Sequence, residues 1–174
     1  EIAYMDAQLG RLLAHPKLAA NPQLMVMALA DHGESLGEHG EQTHAILAYD
    51  STLHIPWIVK LPGVKGGTRV AEMVSQIDLV PTLLDLAGVA VPSELPGGSW
   101  LPALAGGAPP DRASFAWLEH PSFSLASVTS GPWKAIWTRS GFRPTTSLGA
   151  EELFDLGADP GERRDLAAVR GGAR

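Results

Sequence analysis

The feature that most limits the fold is the run LMVMALA at residues 24–30. Seven apolar residues follow one another with no polar position between them. The run therefore lacks the in–out alternation of a strand with one wet face and reads as a strand covered on both faces, as in parallel sheets. Few partner strands are on offer. One is WIVKL at 57–61, introduced by Pro56 and ended by Pro62 and Gly63; another short strand is expected around residues 70–74. Two or three such strands would leave long unpaired edges. The rest of the sheet is therefore expected upstream of residue 1, and the sequence is expected to be a piece of a longer protein. Its first residue is Glu, and EIAYMDAQLGRLLAH already has helical spacing at Ile2, Met5, Leu9, Leu12 and Leu13, limited by Pro16.

Downstream punctuation is clearer. A helix is expected over 43–53 with Thr43 as N-cap. A second is expected over DLVPTLLDLAG, with Asp78 as cap, Pro81 in the first turn and Gly88 at the exit. Residues 90–112 are rich in Pro and Gly and read as a connection. The runs SFAWLEH, FSLASVTS, KAIWTR and EELFDL then predict a small antiparallel sheet. Asp159, Pro160 and Glu162 have the spacing of a capping box, so a terminal helix is expected to about Val169. This gives an α/β chain: residues 1–111 as part of an α/β/α sheet domain, and residues 112–174 as an antiparallel subdomain ending in a helix.

Composition removes several function classes. A net charge of −6 with no basic cluster beyond Arg163–Arg164 offers no stripe for phosphates, so no nucleic-acid partner is expected. No apolar run approaches the roughly 18 residues that span a membrane. The chain has no cysteine, which excludes disulfides and thiol nucleophiles.

Directly after the apolar run comes DHGESLGEHGEQTH at 31–44. Ligands in open α/β sheets bind beyond the carboxyl ends of strands, where Asp31 and His32 stand. A carboxylate and an imidazole suit a divalent cation such as Ca²⁺, Mn²⁺ or Zn²⁺, although calcium prefers oxygen donors. Gly33 is expected to permit the bend through its conformational freedom. Spacing alone leaves open the plainer reading, in which Asp31 caps a turn and His32 is a surface histidine. Glu34, Glu38 and Glu41 read as a solvated acidic loop. His44, at the start of an expected helix, is a candidate to point back at the Asp–His pair. The five-residue spacing of His39 and His44 argues against a three-histidine zinc cluster with His32. His54 reads as a capping or core histidine, and His15 and His120 carry no supporting pattern.

Taken together, ADHGESLGEHGEQTHAILAYDSTLHIPWIVKLPG, VSQIDLVPTLLDLAGVAVP, EELFDLGADPGERRDLA and EIAYMDAQLGRLL resemble, in the correct order, segments of the sulfatase family of the alkaline-phosphatase superfamily. The resemblance implies that Asp31 and His32 help hold a divalent cation, usually calcium. It also implies that His44 contacts the sulfate of a sulfate-ester small molecule or glycan and assists the leaving oxygen. The family's nucleophile is a formylglycine made from Cys or Ser in C-x-P-x-R or S-x-P-x-R, and it is expected upstream. The superficially similar Ser130-Gly-Pro-Trp-Lys134 reads as a turn between strands. On this reading the chain alone is inactive. Within the superfamily, a phosphate or phosphonate ester hydrolase or a phosphotransferase using Mn²⁺ or Zn²⁺ is the alternative, and a non-catalytic truncated module is a third. The periplasm or the cell exterior is the compartment the resemblance implies, with the cytoplasm left open.

Overall fold

The computed structural model describes residues 1–109, 112–121, 123–139 and 150–167. Two compact units are distinguished: Glu1–Ala30 with Pro56–Val70, and Asp31–Ile55 with the described residues from Ala71 onward.

The first unit carries α1 (Ile2–Leu13), α2 (Pro16–Ala19), β1 (Val26–Leu29) and β2 (Trp57–Lys60). His15 finds a role here, its side chain accepting from the Lys17 amide at 3.3 Å to cap α2. β1 pairs with β2 antiparallel, Val26 opposite Lys60 and Leu29 opposite Trp57. The parallel neighbour expected from the apolar run is thus not the partner it takes among the described residues. The connection between these strands contains a 3-10 turn at Glu38–Gly40 and the four-residue helix α3 (Asp50–Leu53). The apolar stripe of α1 exists as read, yet none of its residues is buried.

The second unit holds α3, α4 (Leu79–Leu86), α5 (Leu101–Leu104) and a four-stranded sheet. The helix expected over 43–53 is confined to α3, because residues 43–49 run as irregular backbone with Ala45 at φ +76°. Residues 70–74 form no strand. α4 follows its punctuation: a 3-10 turn at Gln76–Asp78 leads in, Pro81 is buried in the first turn, and Gly88 leaves at φ +69°. Asp78 does not cap α4 with its side chain. It is fully buried and accepts from the backbone of Ser75 and Gly98 and from the Trp100 indole, with the Arg112 guanidinium against it.

The antiparallel sheet matches the sequence reading strand for strand: β3 (Ser114–His120), β4 (Phe123–Ser130), β5 (Trp133–Arg139) and β6 (Glu151–Asp155), in that spatial order. The register Leu118↔Leu125, Ser127↔Ile136 and Lys134↔Phe154 puts alternate residues on one face. That face closes over Leu47, Ala48 and Tyr49 to form the core, with Leu125, Ile136 and Phe154 each at most 2% exposed. Burying a side chain of this size contributes about 1.5–3 kcal/mol. Ser130 and Trp133 flank the Gly131–Pro132 turn, as expected, and Gly131 sits at φ +54°. The terminal helix is not formed over residues 159–166. Asp159 Oδ2 instead accepts the amides of Arg163 and Arg164 at 2.7 and 2.8 Å, and Glu162 takes φ +52°. The remainder of that expected helix, from residue 168, lies outside the described residues.

Candidate active site

Apart from a 3-10 turn at Glu38–Gly40, residues 31–49 are irregular, and their shape is fixed by hydrogen bonds. The Gly33 amide donates to Thr52 O at 2.7 Å, so the loop lies directly on α3. A Cβ at position 33 would sit 2.4 Å from Ser51 O. Close approach, not an unusual φ, is therefore what demands glycine here. Ser35 is fully buried, its hydroxyl 2.7 Å from that of Ser51, and its amide donates to Thr43 O at 2.7 Å. Two residues further on, the Gly37 amide donates to Glu41 O at 2.9 Å, with Gly37 at φ +113°. The loop thus doubles back on itself and returns residue 44 to the side of residue 34.

Its far limb is bolted to the sheet. Glu41 is 3% exposed, and its Oε1 accepts the amides of Ile46 and Leu47 at 2.8 and 3.3 Å. The solvated role expected for Glu41 is thus replaced by a buried cap on the backbone that leaves His44. The Tyr49 hydroxyl donates to Glu152 at 2.9 Å; burial and that carboxylate push the phenol above its ordinary range. His39 stacks on Tyr49 with ring centroids 3.6 Å apart, and burial pushes its imidazole below its ordinary value. Lys134, with no exposed surface, places its ammonium 2.7 Å from both Asp50 Oδ1 and Glu162 Oε1, while Glu162 Oε2 accepts the Asp50 amide at 2.7 Å. Burial pushes the Glu162 carboxyl up against the downward pull of that ammonium. Lys134 is a strut in this structure.

The three residues singled out in the sequence converge. The rings of His32 and His44 stack with centroids 4.0 Å apart and planes 30° apart. His32 Nδ1 lies 2.7 Å from Gly33 O; because a carbonyl only accepts, that nitrogen carries the hydrogen and leaves Nε2 with its lone pair. This Nε2 is 3.7 Å from Asp31 Oδ2. One nitrogen and one oxygen donor therefore face a common point, with the ring orientation fixed by a backbone carbonyl, as metal-ligating histidines require. They fit a divalent cation as two of its donors. Among the described residues no group of three or more His, Asp or Glu side chains gathers around one point.

Glu34 was read as a solvated residue, but its Oε1 lies 3.2 Å from His44 Nδ1. Sequence reading had no signal for this contact, since a ten-residue separation has no helical or strand period. Beside the two imidazoles opens a cleft of about 180 Å³, with Leu47, Ala48, Leu53, Ala116 and Leu118 in its walls. His54 lines a different, polar cleft with Glu38 and His39. His120 stacks on Phe123 at 4.7 Å.

The arrangement has close relatives. The sequence model of the family described as "N-sulphoglucosamine sulphohydrolase, C-terminal" matches residues 37–171. Arylsulfatase K of Rattus norvegicus is 33% identical over 178 residues, which are 95% of this chain and 30% of the rat protein. A solved protein in complex with its substrate D-glucosamine-2-N,6-O-disulfate superposes with a TM-score of 0.82 at 26% identity, covering 99% of this chain and 36% of that one. The phosphonate monoester hydrolase of Silicibacter pomeroyi superposes at 0.70 with 27% identity, over 95% of this chain and 37% of its own. This chain spans about a third of the length of the proteins it matches. The chain belongs to the N-sulphoglucosamine sulphohydrolase C-terminal family within the alkaline-phosphatase superfamily.

Proposed function

We propose that this chain forms one wall of the active centre of a sulfuric ester hydrolase. The observation that carries the reading is the convergence of Asp31, His32 and His44 at the head of one loop in a chain of this family. Asp31 Oδ2 and His32 Nε2 are the proposed donors to a divalent cation, calcium by family expectation. A mixed oxygen and nitrogen pair also suits Mn²⁺ or Zn²⁺. When bound, such a cation supplies positive charge against the ester's oxyanion. With its Nδ1–H on Glu34 and its second hydrogen on Nε2, the His44 ring directs Nε2–H at the sulfate and its bridging oxygen, where that donor stabilises charge developing on the leaving group. The apolar cleft takes the organic body of the ester, either a small molecule or a sugar ring, and excludes water from it. The formylglycine nucleophile is proposed to come from sequence outside these 174 residues, since the chain has no cysteine and Ser130 to Lys134 form a turn ending in a buried strut. The proposed organisation remains residues 1–111 with the catalytic domain and 112–174 as its subdomain.

The test is turnover of an aryl sulfate by a protein that carries this chain together with an S-x-P-x-R or C-x-P-x-R segment. His44→Ala is expected to lower kcat by about a hundredfold or more. Near-parental turnover would overturn the role given to His44. Because a phosphonate hydrolase shares the fold, the same protein should be offered an aryl phosphonate. A higher kcat/KM on the phosphonate would favour that chemistry instead.

A further inference from the structure

The doubled-back loop does more than bring His44 near the Asp–His pair. The amide of Ser35 bonds to the carbonyl of Thr43, so residues 34 and 44 flank one closed rung of the loop. Across that rung Glu34 Oε1 meets His44 Nδ1 at 3.2 Å. We infer that Glu34 is a positioning residue: it holds the Nδ1–H and ring direction of His44, so that Nε2 is the atom turned to the substrate and the one that donates when the ring carries its second hydrogen. The inference rests on the sulfate-ester reading for what His44 then contacts, but not for the tautomer itself.

The chemistry is one of acceptors. A carboxylate has no hydrogen to give, so a close contact with Nδ1 places the hydrogen there and leaves Nε2 as the outward atom. The same rule operates on the neighbouring ring, where Gly33 O holds the hydrogen on His32 Nδ1 at 2.7 Å. Two stacked imidazoles thus receive the same tautomer from two different acceptors, a carbonyl and a carboxylate, and each keeps Nε2 for outside work. A backbone outlier supports the claim that this orientation is held rather than accidental. Ala45, next to His44, has φ +76°, a conformation that costs a non-glycine residue about 1–3 kcal/mol and persists only where surroundings impose it. The Glu41 caps on Ile46 and Leu47 are those surroundings on the C-terminal side. Glu34 is the matching restraint on the side chain.

The experiment is a long-range ¹H–¹⁵N spectrum of the imidazole side chains in the full 174-residue chain, recorded at a pH where histidine is neutral. His44 is expected to carry its hydrogen on Nδ1. Glu34→Gln keeps an acceptor oxygen and should preserve that tautomer. Glu34→Ala should move the tautomer ratio about tenfold toward Nε2–H, as expected for losing one hydrogen bond to a charged group. Glu34→Lys brings only donors and should reverse the tautomer. His32, held by Gly33 O, reports whether the loop stays folded in each variant. An Nε2–H tautomer in the parent, or a His44 tautomer indifferent to Glu34→Ala and Glu34→Lys, would overturn the inference. Phenyl sulfate is then added as a separate arm. This arm uses the protein that also carries the S-x-P-x-R or C-x-P-x-R segment, at a pH where histidine is protonated. A ring held by Glu34 with no response of His44 Nε2–H to phenyl sulfate would leave the positioning role standing and remove the sulfate contact.

Discussion

The apolar residues of α1 and those of the antiparallel sheet have the same chemistry and opposite surroundings. Ile2 is 81% exposed and Leu9 50% exposed, whereas Leu125 and Ile136 are at most 2% exposed. Both sets were visible as periodic patterns. Hydrophobic periodicity reports which residues share a face; whether that face is covered depends on what packs against it. In the second unit the partner is the site loop itself, through Leu47, Ala48 and Tyr49. The loop that presents the imidazoles is thereby a structural element of the sheet's core, while the helix with the more regular pattern contributes no buried residue.

This contrast can be broken most sharply at Lys134. Lys134→Ala leaves Asp50 and the buried Glu162 without their cation and is expected to cost about 3–5 kcal/mol, read by urea unfolding. A loss below about 1 kcal/mol would mean that the ion triad does not anchor the loop. Next in size is a matched pair of truncations. Leu125→Ala should cost about 2–5 kcal/mol and Leu9→Ala no more than about 0.5 kcal/mol. Equal losses at the two sites would erase the distinction drawn here. The smallest effect concerns pH. Burial lowers the His39 imidazole, so folding favours its neutral form. Its contribution is present above the ordinary imidazole value of about 6.5 and is lost as pH falls through the lower folded value. Stability should therefore decline over that acid window, and His39→Phe should flatten the decline while keeping the stack on Tyr49.

Legibility from the sequence followed the range of the interactions. The sheet was readable because alternation and turn residues are local, and α4 because its proline and glycine sit at its ends. The expected helices do not form over residues 43–49 and 159–166 for a common reason. Thr43 is the expected cap of the first, but the buried Glu41 holds the backbone after it in an irregular turn. In the second, Asp159 accepts two amides of a turn, and Glu162 is committed to Lys134 and to the Asp50 amide. Asp31, His32 and His44 were found through resemblance, and the structure adds that they meet. Glu34 was missed because only the closed rung between Ser35 and Thr43 makes it His44's neighbour. The demand for glycine at 33 was foreseen and its cause was not, since contact with Ser51 O is a tertiary fact.

The Lys134 strut also has a consequence in time. A ribosome delivers residues 31–54 long before residue 134, and residue 134 well before residue 162. Asp50 therefore waits through 84 further residues for its cation and through 112 for the carboxylate that takes its amide. Until both arrive, the loop that carries the imidazoles has only its apolar contacts with the sheet and lacks this ionic anchor. The ion triad that fixes the imidazole loop is thus completed only when residue 162 has been made.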